Sequence, residues 1–283
     1  MTELVTIPGP GLSLATYVFA VCRAADAPAL DGVTGHGDGG TVRPLPVGSL
    51  AAMAQDVPAA GHDEESLRRR LSDRAELERY ARAHHEVVAA VCDVVPAVPL
   101  PLATLYHGEE RARQAVAAGA ARFHRVLDHI DGRAEWGVKV YALARERAAP
   151  EDPAKDRTVP APGDPGASAS GRAYLDRLRG RHQAREERQQ AAWLAAERVD
   201  AALRGLAVEA RRLRAQPAEP GQGGESQLLN AAYLVERARA AELADALGTL
   251  ARAPETADRV RIEVTGPWAP YSFTNGDDAD GQG

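Results

Sequence analysis

One helical register constrains this chain more than any other feature. Leu175, Leu178, His182, Arg185, Gln189, Ala192, Ala196, Val199, Leu203, Leu206, Ala210 and Leu213 follow one another in unbroken steps of three and four residues, the spacing that keeps side chains on one face of an α-helix. A helix over residues 172–215 would reach about 65 Å at ~1.5 Å per residue, more than one small domain can cover. The middle third of the seam is polar. Its ends are therefore expected to pack, and residues 181–190 to stay exposed or to lie against something else. Arg185 and Gln189, central in that stretch, become candidate partner-binding residues.

A second stretch stands out near the end, Val264-Thr265-Gly266-Pro267-Trp268-Ala269-Pro270-Tyr271-Ser272-Phe273. Its two prolines keep it out of helix, because proline fixes φ and has no N–H to give. An extended tail is expected to leave a strand over 259–265. The sequence has only 3 Trp and 3 Phe, so one of each on this tail marks a place where rigid apolar rings are laid on a surface. That surface is either the protein's own, the tail folding back to cover a sheet edge, or a partner's. Trp268, Tyr271 and Phe273 are the residues that would bind a partner, and the sequence leaves both readings open.

The rest of the chain reads as alternating sheet and helix. Residues 15–22 (ATYVFAVC) form a buried strand, a glycine-rich flexible turn covers 32–40, and a second strand covers 41–47. A helical pattern spans 63–93 with Leu67, Leu71, Leu77, Tyr80, His84, Val87, Val88 and Val91 on or near one face. Residues 98–106 (VPLPLATLY) are extended, 109–130 helical up to Asp131-Gly132, and 134–143 a strand. Beyond the long helix come a strand over 228–235 and an amphipathic helix over 237–252. Between 148 and 170 the composition turns to Pro, Ala, Gly, Asp and Ser, as in a linker or long surface loop. The expected layout is thus a first domain over 1–147, a linker over 148–170, a second domain over 171–274 with the long helix and aromatic tail, and a disordered acidic end over 275–283.

Composition excludes several classes of function. At 283 residues, 45% of them apolar, the chain has room for about two cores at the usual ~150 residues per domain. A net charge of −6 without a basic face argues against nucleic acid or an anionic membrane as partner. No signal peptide is expected from residues 1–13, and no apolar run approaches the ~20 residues a spanning helix needs, so a cytosolic location is expected. Cys22 and Cys92 have no metal spacing and are expected to be buried thiols.

No catalytic constellation emerges. The run Gly35-His36-Gly37-Asp38-Gly39-Gly40 is followed by a strand candidate, whereas a dinucleotide fingerprint needs a helix N-terminus there. His84-His85-Glu86 places neighbouring side chains ~100° apart around a helix, and His124 and His129 diverge as well. No catalytic residue, cofactor site or metal site is expected.

The segments Ala83-His84-His85, Val98-Pro99-Leu100-Pro101-Leu102-Ala103-Thr104-Leu105-Tyr106, Glu135-Trp136-Gly137-Val138-Lys139-Val140-Tyr141, Leu229-Asn230-Ala231-Ala232-Tyr233-Leu234-Val235, and the ending Thr265 to Phe273 stand in this order along the chain. Together they resemble the gas vesicle protein F/L family. The resemblance runs from the strand at Tyr17 to Phe273, and Ala269 stands where the family usually has a second proline. It implies a two-domain α+β protein with an N-terminal α/β domain and a C-terminal ferredoxin-like domain joined by long helical elements. It further implies a minor component or assembly factor of the gas vesicle, not an enzyme, that contacts the hydrophobic shell protein and other accessory proteins. F and L members are not separated by these motifs. Two other functions fit the residues: a coiled-coil adaptor working through the Leu175 to Leu213 seam, and a small-molecule enzyme with a pocket lined by His84, His85 and Lys139.

Overall fold

A computed structural model describes residues 14–27, 33–37, 39–62, 64–143, 166–214 and 226–274. The chain divides into two compact units: one runs up to Glu135 and resumes at Pro267, and the other is Trp136–Gly266. Both are mixtures of helix and antiparallel sheet.

The first unit is built around β1 (Leu14–Arg23), which pairs with β3 (Leu50–Pro58) on one side and with β4 (Ala97–Pro99) and β5 (Leu105–Tyr106) on the other. The hairpin partner β2 (Arg43–Val47) lies outside β3. Every residue from Ala15 to Cys22 is buried, because helices cover both faces of the sheet. Tyr17 and Phe19 face α2 (Arg74–Val94), packing with Tyr80, Val87, Val88 and Val91. Val18 and Val21 face the opposite layer, α3 (Glu109–Ala118) and α4 (Ala120–Ile130), with Val116, Phe123 and Leu127. A bulge between Val18 and Ala20 makes this possible. The extra residue resets the two-residue alternation, so that Phe19 and Ala20 both turn to the α2 side.

The second unit runs β6 (Arg133–Ala142), α5 (Gly166–Leu206), β7 (Glu209–Arg212), β8 (Gln227–Glu236), α6 (Ala240–Arg252) and β9 (Val260–Trp268), the outermost residues of β6 and β9 falling in the first unit. Its sheet order is β7-β8-β6-β9. Strand–helix–strand–strand–helix–strand in that order is the ferredoxin-like fold. The core holds the C-terminal half of α5 (Ala192, Ala195, Ala196, Val199, Leu203) and Leu243 and Leu247 of α6 against Val138, Val140, Tyr233 and Val235 of the sheet. Alanines on α5 let the helix approach the strands closely.

Several elements differ from the sequence expectation. The pattern over 63–93 is two helices, α1 (Glu64–Ser72) and α2, because Asp73 leaves the helical conformation and caps α2 by accepting the Glu76 N–H at 2.9 Å. The 109–130 helix is interrupted at Gly119, where a Cβ would sit 2.9 Å from the Phe123 ring. Strand β3 was not anticipated. The long helix starts at Gly166, inside the expected linker, and stops at Leu206, so Ala210 of the seam lies in β7 and Leu213 just past it. At 41 residues it still reaches about 62 Å. The remainder of the expected linker, 148–165, and the acidic end, 275–283, lie outside the described residues. The glycine-rich turn is pinned in its described part: Gln55 accepts the His36 N–H at 2.9 Å and donates to the carbonyls of Thr34, His36 and Gly40.

Beneath α5 a buried carboxylate ties helix to sheet. Asp200 accepts hydrogen bonds from the Tyr233 hydroxyl at 2.6 Å, from Arg212 at 2.7 Å and from Arg204 at 3.1 Å. Burial alone would raise its pKa, and these three donors outweigh it and hold the carboxyl below its ordinary value. A carboxylate depressed in the folded state stabilises above its unfolded pKa, and that stabilisation disappears as pH falls through the folded value. Urea unfolding is therefore expected to show the second unit weakening below about pH 4, the unfolded Asp range. Asp200→Asn should flatten this slope and cost about 1–3 kcal/mol at pH 7 through partly unpaired donors, toward the low end because both arginines are half-exposed.

Candidate partner-binding surfaces

The aromatic tail is divided by its own geometry. β9 continues through Pro267 to Trp268, after which residues Tyr271–Phe273 make one 3-10 turn in which the Phe273 N–H reaches the Pro270 carbonyl at 3.1 Å. Glu135 clasps that turn, accepting the Ser272 backbone N–H at 2.8 Å and its hydroxyl at 2.6 Å. Ala269 enters the core of the first unit and Tyr271 packs against it. Phe273 is 3% exposed, and burial pushes the Tyr271 phenol above its ordinary pKa, with Cys92 and Glu135 adding to the shift. Trp268 is different. It remains 45% exposed, its ring edge-on to His85 with centroids 5.6 Å apart.

The floor under Tyr271 is fixed by a polar contact. The Tyr17 hydroxyl accepts the Ala103 N–H at 2.9 Å and shares a 2.8 Å hydrogen bond with His84 Nδ1. The loop carrying Ala103 is held at φ 68°, a conformation uncommon for a residue with a Cβ. Burial lowers His84 to about 4, with the Leu100 carbonyl opposing the shift. His84 is thus neutral at pH 7 and braces the segment under the tail, and His85, its neighbour on α2, meets the rings from outside.

On the second unit the described residues of α5 from Leu178 to Gln190 are all exposed, Arg185 and Gln189 among them. Past them, Trp193 is 50% and Leu194 55% exposed. Glu186, Gln189, Gln190, Trp193 and Leu194 line one open depression along the helix, and their spacing of three and four places them side by side. Arg185 and Gln189 lie on the helical seam, whereas Trp193 and Leu194 lie off it. The seam is the alanine side that faces the sheet, and the large apolar residues stand off it. One of only 3 tryptophans, set beside a leucine between alanine core positions, was the available signal.

The five expected binding residues therefore form two groups, Trp268, Tyr271 and Phe273 in the first unit and Arg185 and Gln189 in the second. Lys139 belongs to β6 of the second unit, whereas His84 and His85 belong to α2 of the first. Among the described residues no group of three His, Cys, Asp or Glu side chains converges as metal ligands, and no helix is long and apolar enough to cross a membrane. Cys22 and Cys92 are both buried, and burial raises the Cys22 thiol to about 11.

Fold and surfaces together define a two-unit α+β protein with a ferredoxin-like unit, a tail clasped by the first unit and a long, partly uncovered helix. The model of the family described as "Gas vesicle synthesis protein GvpL/GvpF" matches residues 15–275. Gas vesicle protein L of Streptomyces sp. (strain CB03234) is 39% identical over 265 residues, covering 91% of both chains. Gas vesicle protein F of the same strain is 26% identical over 261 residues, covering 92% of this chain and 99% of that one. The crystal structure of GvpF from Anabaena sp. PCC7120 superposes with a TM-score of 0.60 at 16% identity, covering 94% and 98% of the two chains. That of GvpF from Microcystis aeruginosa gives 0.56 at 16%, covering 92% and 99%. The chain belongs to the GvpL/GvpF family of gas vesicle proteins, which is not a known enzyme family.

The division of the tail has a measurable consequence. Phe273→Ala removes a buried ring and should lower the stability of the first unit by about 3–5 kcal/mol. Trp268→Ala, at a half-exposed position, should cost about 1 kcal/mol or less. Chemical denaturation of both variants checks the contrast, and equal losses would contradict it.

Proposed function

We propose that this protein is an accessory factor of gas vesicle formation that binds the hydrophobic shell subunit and other accessory proteins. The observation that carries the reading is the exposure of Trp193, Leu194 and Trp268 in a chain that has only 3 tryptophans. A shell protein that walls off gas has to hide its apolar face before assembly, and a carrier suited to it presents apolar rings within a charged rim. On α5 that rim includes Arg185 and Glu186, with Gln189 and Gln190 beside the rings. On the tail, Tyr271 and Phe273 anchor the segment so that Trp268 is presented on a rigid base, which reduces the entropy lost on binding. Family membership supports gas vesicles as the setting, and the higher identity to the L protein than to the F protein of one strain supports an L-type member.

Co-purification with the shell subunit tests the proposal. Trp193→Ser with Leu194→Ser, and separately Trp268→Ser, are expected to weaken capture at least ~10-fold, a loss of ~1.4 kcal/mol, while unfolding temperatures stay near that of the parent. Undiminished capture by a folded variant lacking all three side chains would remove these surfaces from the mechanism. Normal vesicles in cells without this protein or any other family member would remove the assembly role itself.

A further inference from the structure

A sheet edge is a row of unpaired N–H and C=O groups, and proteins usually blunt it. Among the described residues, three of the four sheet edges are blunted. On β2, the register Val47↔Leu50 across a two-residue turn points residues 43, 45 and 47 toward β3, so Pro44 and Pro46 face outward and the outer edge lacks two donors. β4 and β5 have three and two residues, and β7 has four, three of them charged.

β9 differs in length and in the placement of its proline. It is nine residues long and ends its sheet. The Leu143 N–H donates to the Arg259 carbonyl at 3.0 Å, and Thr265 Oγ1 lies 3.5 Å from the Gly137 carbonyl oxygen. In that register the odd-numbered residues of β9 turn their backbone groups inward to β6. Ile262 and Val264 turn theirs outward, and Gly266, at φ 129°, ends the regular run. Pro267 falls in the inward set, so its missing N–H does not blunt the outer edge. The Val260 N–H is already bonded to the Thr256 carbonyl, which makes Ile262 the start of the open edge. Among the described residues no strand pairs with it.

We propose that this edge pairs antiparallel with the same edge of a second copy of the chain, about a two-fold axis at Val264, joining the two second-unit sheets into one. The side chains are self-complementary in this register. Val264, 39% exposed, meets its own copy, and Ile262 lies opposite Gly266, whose missing side chain leaves room for it. Glu263 lies opposite Thr265, and its ion pair with Arg261 in the same strand leaves the segment without net charge. Sliding the copies so that Glu263 faces itself would set like charges directly opposite, so the Val264 register is favoured. The result is an isologous interface, the commonest kind in homodimers.

Sedimentation of the full chain over a range of concentrations should show a monomer–dimer equilibrium. Val264→Pro removes only an outward N–H and should raise the dimer dissociation constant at least ~10-fold, as should Val264→Lys, which places like charges at the axis and demands no backbone change. Circular dichroism should stay unchanged in both. Val264→Cys should form an intermolecular disulfide on mild oxidation, since facing Cα atoms ~5.5 Å apart suit the bond and the native cysteines are buried. The proposal is overturned by a wild-type chain that stays monomeric, by a dimer indifferent to Val264→Lys, or by cross-linking through Leu178→Cys on α5 and not through Val264→Cys.

Discussion

The clasp between Glu135 and Ser272 closes a loop of chain that contains a whole folding unit. Glu135 is the last residue before the second unit, and Ser272 follows shortly after the chain leaves it at Gly266. The second unit can therefore be inserted because β6 and β9, its entry and exit, are neighbours in one sheet. Pairing of the two strands brings Glu135 and the tail close in space at little entropic cost, however long the intervening chain. Ala269 and Tyr271 pack with the core made by Tyr17, Tyr80 and α2, and Phe273 is buried as well. The burial of Phe273 thus depends on a contact between residues 137 apart in sequence.

The same dependence explains why the sequence was legible in its periodic parts and opaque where tertiary contacts decide. β1, β8, α4 and α6 were readable from β-branched runs and helical spacing. β3 was not, because Ala51, Ala52 and Ala54 carry poor strand propensity. They form a strand because β1 and β2 pair on both sides and helices cover both faces, which Leu50 and Met53 fill as fully buried side chains. Asp73 was hidden inside a helical pattern that continued on either side of it, although its carboxylate is the cap that separates two helices. The end of α5 was missed for a related reason. Ala210 and Leu213 fit the helical seam by number, yet the β7 backbone pairs with β8 as Glu209↔Leu234 to Arg212↔Ala231. Periodicity alone cannot weigh a sheet partner more than a dozen residues away.

The surfaces were legible in part. The tail was recognisable because prolines and rings are rare and local signals. Its division into anchor and exposed ring was not, since that depends on which side of the 3-10 turn faces the core. Proline placement shows the same logic twice. Pro270 precedes the turn that buries Phe273, and Pro267 precedes the half-exposed Trp268. Each proline narrows the backbone of its neighbours before any contact forms. On α5, following the seam led to the side that packs, and the apolar residues off the seam were the informative ones.

Exposure of large apolar groups has a cost that decides where they can be tolerated. A chain that displays Trp193, Leu194 and Trp268 risks association with itself. Each of these residues sits among charged or polar neighbours: Glu186, Gln189 and Gln190 beside the helix pair, and His85 against Trp268. Such a rim lets water reach the edges of the ring and limits the gain from loose, non-specific burial. A partner with a continuous apolar face gains more, because it can cover the ring fully and displace the rim water at once. Single exposed rings set on rigid secondary structure thus form small adhesive surfaces that a shape-matched partner can bury.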